Sequence, residues 1–315
     1  MVEITKKAIA KIEKIAKEDV LRFPENRKWD AKDKEDRFRS LFGAPPVAIA
    51  AAWELIKDSV DNDIYHRHLL WGLVFLKVYA KNEETHCSIV GWPTKKEFRE
   101  KSWRIVRNLA DQKDKIIKLK NRFKNAPTTN KGKGLQKIPL LTGDCTDCKI
   151  DEPSPWNTKW KSHKFCGPGL QYIVALAIHS NNICFSAGPF PATRNESRTY
   201  KEELLPLLPA TEPIEVDSGP GGDLRLMGPA AGSSRIIRKK KSVIRGRQET
   251  IFNRMKQYNV LETYFHHRAT NEEDMMEKHR ICFDACLVMT QLKFMTGVDT
   301  LFDSPDMTEV LYTMP

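Results

Sequence analysis

Long apolar runs are missing from this 315-residue chain. No stretch approaches the ~20 apolar residues that a bilayer-crossing helix needs, and the best run, Leu69 to Ala80, is broken by Lys77. A soluble chain with no membrane partner is expected. The first residues lack the compact apolar block and small-residue cleavage site of a secretory leader, and their acids argue against a transit peptide, so an intracellular chain is expected. An even cysteine complement is missing too: seven thiols leave one over from any complete disulfide framework, and all are read as free. What is there includes 40% apolar residues, seven Trp and 14 Phe, enough to bury a core and to exclude wholesale disorder. At about 150 residues per domain the length suggests two units. The 52 Lys and Arg against 41 Asp and Glu leave a net charge of +11, a balance that favours a polyanionic partner.

Residues 1–36 read as a basic amphipathic segment, with Ile9, Ile12 and Ala16 at helical spacing among lysines. Residues 37–123 read as helical. Phe38, Leu41 and Phe42 lead into Pro45-Pro46, which suits the opening of a helix over Val47 to Ile56. A second helix is expected from Ile64 to Ala80, and a short one from Asn82 or Thr85 to near Gly91. Thr94 and Glu97 then have the spacing of a capping box, and Phe98, Ile105, Leu109 and Ile116 mark one apolar face of the helix that follows. Short helix, tight turn and capped basic helix is the order of a helix-turn-helix, which would present Lys95, Lys96, Arg99 and Lys101 to DNA; simple helical-hairpin packing gives the same pattern. Residues 124–137, rich in Lys, Asn and Gly, read as a polar linker.

Beyond the linker, over 138–302, the pattern alternates. Strands are expected at Ile138 to Ile150, Gln171 to His179, Ile183 to Ala187 and Ile214 to Val216, with helices at Ser197 to Leu208, Val243 to Tyr258 and Asp274 to Thr296. Residues 303–315 are a tail. In this layout Asp144 lies on the first strand, Asp217 ends the fourth, and Glu249 lies on the next helix. Phosphoryl chemistry with Mg²⁺ or Mn²⁺ needs hard oxygen ligands converging from rigid elements, and two such ions ~3.5–4 Å apart clamp the attacking and leaving oxygens. Asp147 is a rival for Asp144, but side chains three apart on a strand face opposite ways, so only one lines the pocket.

The stretch Arg235 to Arg247 carries Arg238, Lys239, Lys240, Lys241, Arg245 and Arg247, with Glu249 the first acid after it; Arg245, Glu249 and Lys256 lie near one helical face. Phosphate binding, a solvated segment and a nuclear import signal at Arg238 to Lys241 all fit. His163, between Lys161 and Lys164, is either a phosphate contact or a surface-loop histidine. Cys145-x-x-Cys148 has no second close pair to complete a zinc site, and a strand is not where a redox motif places its thiol.

Gly143-Asp144-Cys145-Thr146-Asp147-Cys148, Glu152-Pro153, Trp160, Ser162-His163-Lys164-Phe165 and Gly167-Pro168-Gly169, in that order, resemble the catalytic domain of Harbinger-type DDE transposases. Gly188-Pro189-Phe190-Pro191, Asp217-Ser218-Gly219, Gly222-Asp223 and the Arg247-Gln248-Glu249 to Lys256 helix follow in the family's order, over roughly residues 138–302. The intervals between the three acids are also similar to those of compact DDE enzymes. The resemblance implies an α/β fold: an RNase H-like catalytic domain, a mixed central sheet with flanking helices, preceded by an α-helical, helix-turn-helix-like DNA-binding domain. It implies Asp144, Asp217 and Glu249 as the triad holding two Mg²⁺ or Mn²⁺ ions. The implied activity is that of a DNA endonuclease and strand transferase acting in the nucleus as a homo-oligomer, on transposon ends and target DNA, with a Myb-like helper protein. The alternative is a host-domesticated or inactive derivative that binds DNA or serves as a scaffold. Two departures stand out: Asn195-Glu196 where the family has Asp, and Pro220 where an aromatic residue follows Asp-Ser-Gly. No role is assigned to Asp147, Asp223 or Glu196.

Overall fold

The computed structural model describes residues 4–20, 31–126, 139–217, 223–228, 235–266 and 269–301. Most of the expected linker, the Gly-rich breaks around 218–222 and 229–234, His267 and the 303–315 tail lie outside the described residues. The fold is mixed α/β. Two compact units divide the chain, one of residues 1–116 with 254–299 and one of 117–253 with 300–315, so the division falls inside a helix.

In the helical unit, α1 (Lys6–Ile15) starts at Thr5, whose hydroxyl accepts from Ala8 N at 3.2 Å, and it buries Ile12 among its lysines. A π turn over Ala16–Val20 follows. The next helices are α2 (Ala31–Phe42), α3 (Pro46–Ile56), α4 (His66–Val78), α5 (Glu83–Ile89), α6 (Lys95–Ala110) and α7 (Lys113–Ile116). Pro46 opens α3 at the position where a missing N–H costs nothing. Every residue from His68 to Leu76 in α4 is buried, so α4 is the central helix, packed against α2 and α6. Asn82 caps α5, and Thr94 caps α6 by accepting from Glu97 N at 3.1 Å.

In the sheet unit, β1 (Leu141–Lys149), β2 (Gly169–Ala177) and β3 (Ile183–Pro191) form an antiparallel meander. The expected helix at 197–208 is broken into α8 (Glu196–Thr199), a π turn over Tyr200–Leu204 and a 3-10 turn over Leu205–Leu207, because Pro206 offers no N–H to continue a ladder. β4 (Ile214–Val216) pairs parallel with β1, and β5 (Leu226–Met227), a strand the pattern did not foretell, pairs parallel with β4. The sheet order is β3-β2-β1-β4-β5. Leu141, Cys145, Ile173, Ala175 and Cys184 share one core cluster with Tyr200, Leu204 and Leu205. Helix α9 (Arg235–Lys256) begins eight residues before the expected start, since its Lys-rich first turns are good helix formers.

Helices α10 (Asn259–Glu262) and α11 (Glu272–Met295) belong to the helical unit, although sequence order suggested one domain over 138–302. The reason is apolar demand. From Ile281 to Phe294 every residue of α11 is buried, so it needs cover all round, which α3, α6 and α7 help supply. Gly43 anchors this packing: at φ +72° its Cβ would lie 2.4 Å from a ring atom of Tyr258.

Candidate functional site

Gly143 pairs with Val216 in the parallel β1–β4 register, so Asp144 and Asp217 leave adjacent strands at one level. Strand alternation sends Cys145 into the core cluster and Asp144 to the opposite face. There Asp144 and Asp217 line one cavity of about 130 Å³ with Arg238, Lys241, Arg245 and Gln248 of α9. Those α9 positions recur at helical spacing, which makes them one face of the helix. Gly143 is required beside the site, because a Cβ there would stand 2.8 Å from Cε1 of buried Tyr200.

Burial lifts the Asp144 carboxyl to about 6. The Lys164 ammonium and the Cys145 N–H, 2.7 Å from the carboxylate, pull it down, while Glu196 and Asp217 push it up. Asp217 is exposed and ion-paired with Arg245. Buried Gln248 donates from Nε2 to Thr142 O at 3.0 Å and Val174 O at 3.1 Å, fastening α9 to β1 and β2; its Oε1 is buried with no hydrogen-bond partner. Two carboxylates and an orphaned amide oxygen around one cavity are hard donors of the kind Mg²⁺ and Mn²⁺ prefer, and this donor set fits an ion on chemical grounds.

The expected triad is not assembled as a whole. Glu249 is exposed and does not line the cavity, being one residue, or about 100° of helical rotation, past Gln248. Among the described residues, no group of three or more His, Cys, Asp or Glu side chains is arranged to hold a metal. Asp147 is buried and accepts from Ser162 Oγ at 2.5 Å. Asp223 accepts from Arg225 N at 2.9 Å, and Glu196 lies 3.5 Å from Lys164.

Several expected phosphate contacts face outward: His163, Arg238, Lys239 and Arg245 are exposed, Lys240 and Lys256 partly so. Lys164, half exposed, donates to Cys145 O at 2.5 Å. Two others do not face out. Arg247 is 2% exposed and donates to Ser180 O at 2.6 Å; Lys241 is 7% exposed, donates to Gly228 O at 2.7 Å and lies 3.7 Å from Glu215. Backbone carbonyls and a buried acid hold these cations inside, because an unpaired buried charge is far costlier than a paired one.

On α6, Lys95 pairs with Glu84, Arg99 grips Glu83 through bonds of 2.7 and 2.5 Å, and Lys101 pairs with Asp63. Lys96 is the most open of the four at 84% exposure, with Glu100 at 3.9 Å. Sequence reasoning passed over Gln248, whose signal was the helical spacing from Arg238, and Trp92, which is 70% exposed with a left-handed φ of 63° at the α5–α6 turn. All seven thiols are free, and burial raises the Cys145 and Cys184 thiols, Cys184 to about 12, so neither is poised to react.

No family model, no curated protein and no solved structure matches this chain.

Proposed function

We propose that the chain is a metal-dependent DNA endonuclease and strand transferase of the Harbinger-type DDE class, with an RNase H-like sheet unit. The reading is carried by one observation: Asp144 and Asp217, far apart along the chain, line a single cavity rimmed by arginine and lysine of α9. The mixed sheet order β3-β2-β1-β4-β5 supports it. Asp144, Asp217 and the Gln248 amide oxygen are the groups that would hold Mg²⁺ or Mn²⁺, and Glu249 stays in the proposal as the triad's third carboxylate. A bound ion supplies Lewis-acid activation of water and charge stabilisation at the leaving oxygen.

The protein's own groups do the rest. Arg245 releases Asp217 and turns to a DNA phosphate, while Arg238, Lys239, Lys240, Lys164 and His163 hold the backbone on either side. Water hydrolyses the phosphodiester at the element end and frees a 3′-hydroxyl, which attacks a target phosphodiester in line and expels that strand's 3′-oxygen, with no covalent protein intermediate. Lys95, Lys96, Arg99 and Lys256 add phosphate contacts in this reading, a Myb-like helper aids end recognition, the chain works as a homo-oligomer, and Arg238 to Lys241 direct it to the nucleus.

A specific observation favours a second reading, a DNA-binding scaffold that has lost turnover. A guanidinium already neutralises Asp217, and Glu249 stands outside the cavity. The deciding experiment is Mn²⁺-dependent nicking of element-end DNA with the helper present. Wild type nicks, and Asp217→Asn loses at least about 10²-fold of the rate while DNA affinity holds. Equal cleavage by both proteins removes the carboxylate from the chemistry; no cleavage by either leaves the scaffold. Glu249→Gln assigns the third oxygen, since a loss equal to that of Asp217→Asn puts Glu249 on the metal.

A further inference from the structure

The helical unit contains a larger cavity, of about 610 Å³, between the end of α4 and the start of α6. It shares no lining residue with the carboxylate cavity, so it does not rest on the nuclease reading. Its walls are aromatic. Phe75 and Trp103 meet at 5.6 Å between ring centroids, and Phe98 stacks on His86 at 5.3 Å and 14° between planes. Three cations, Lys81, Lys95 and Arg99, line it against one carboxylate, Glu83. Glu83 and Glu84 engage Arg99 and Lys95, which leaves Lys81, exposed, as the lining lysine or arginine with no ion pair among the described residues.

Two residues that line it carry a buried polar atom with no hydrogen-bond partner. The Ala80 N–H donates to His86 Nε2 at 3.1 Å, so the neutral ring carries its proton on Nδ1. Burial holds His86 at about 4 and therefore uncharged at neutral pH. That Nδ1 has no hydrogen-bond partner although His86 is 2% exposed; Ser102 Oγ, on a residue 1% exposed, has none either. Buried polar groups are nearly always hydrogen-bonded, so two unmade bonds on one cavity's lining residues call for an occupant with heteroatoms. Flat aromatic walls call for a planar one, and the cationic lining for an anionic one. The volume is that of a small-molecule site, with room for more than a single ring.

We propose that this cavity binds a nucleotide, its base among Phe75, Phe98 and Trp103 with a ring edge on His86 Nδ1–H and Ser102 Oγ, and its phosphate at Lys81. The occupant is a free mononucleotide or a base extruded from a DNA strand; the chemistry is shared and the experiment separates the sources.

The full chain is titrated calorimetrically with each of the four 5′-deoxynucleoside monophosphates. At least one binds at one per chain. Ser102→Ala, a small change that spares the helix, weakens it about tenfold, and His86→Phe, which keeps the stack and removes the donor, does the same. Lys81→Ala, at an exposed position that folding does not need, weakens the monophosphate but not the matching nucleoside. A single-stranded oligonucleotide carrying 2-aminopurine then brightens on binding; if the monophosphate reverses this the base comes from DNA, and if the oligonucleotide does not compete the ligand is the free nucleotide. No binding by any monophosphate together with no brightening overturns the proposal, as does binding that Ser102→Ala and Lys81→Ala leave unchanged.

Discussion

Imidazoles of the helical unit and the Asp144 carboxyl of the sheet unit are moved in opposite directions by one physical cause, and Asp284, a buried carboxyl of the helical unit, moves with Asp144. Burial lowers His68 and His86 to about 4 and His279 to about 3, and it raises Asp144 to about 6. Each group is pushed toward its neutral form. In the helical unit the neutral form suits packing: His279 lies edge-on to Phe265 at 4.9 Å, and His86 stacks on Phe98. In the sheet unit the raised carboxyl lines the cavity it shares with Asp217 and the cations of α9. The units also differ in how they treat arginine. On α6, Arg99 is paired with an acid at the surface; in the sheet unit, Arg247 is buried on carbonyl oxygens.

The largest test of that contrast is Arg247→Met. It strands Ser180 O and Ala177 O in the interior, and about 3 kcal/mol of stability should be lost in urea denaturation. Arg99→Ala, which breaks an exposed pair, should cost under about 1 kcal/mol. Equal losses would break the contrast.

The next effect is on acid stability. An imidazole whose folded pKa lies below its unfolded value contributes stability that is complete above about pH 6.5 and is lost as pH falls toward 3–4. Helical circular dichroism should therefore report a loss on the order of a few kcal/mol between pH 6.5 and 4, and His279→Leu should flatten it. Asp144 has the opposite sign: its raised folded pKa makes its contribution complete below about pH 3.8 and loses it as pH rises to about 6. An acid transition that His279→Leu leaves unchanged would remove His279 from the account.

The smallest effect concerns Lys96. Lys96→Ala should move stability by less than about 0.5 kcal/mol, and if α6 meets DNA it should reduce the salt dependence of binding by about one phosphate contact. An unchanged slope would take α6 off the DNA.

Much of the fold was legible because its signals are local. Thr94 and Glu97 stand three apart, so the start of α6 could be read from four residues, and β2 and β3, neighbours along the chain, form one hairpin. Pro206, which ends the regular helix expected over 197–208, is itself a local signal. The two-residue β5 was not readable, since its pairing depends on β4 and not on its own pattern. At the site, Asp144 could be placed on a strand and Asp217 at the end of another, whereas the choice between Gln248 and Glu249 turned on a rotation of about 100° that an approximate helix register does not resolve.

By itself the sequence determined the helix caps, the strand periods, the excess of positive charge and the candidacy of two aspartates, all set by residues a few positions apart or by composition. Tertiary structure decided what depends on remote partners. It drew α11 into the helical unit because an all-round apolar helix needs several neighbours, buried Arg247 and Lys241 where carbonyls and Glu215 awaited them, and matched Lys95, Arg99 and Lys101 of α6 to acids outside that helix. A charge's role is fixed by what lies within hydrogen-bonding reach of it, and along a folded chain that neighbour can be seventy residues away, as Ala177 is from Arg247.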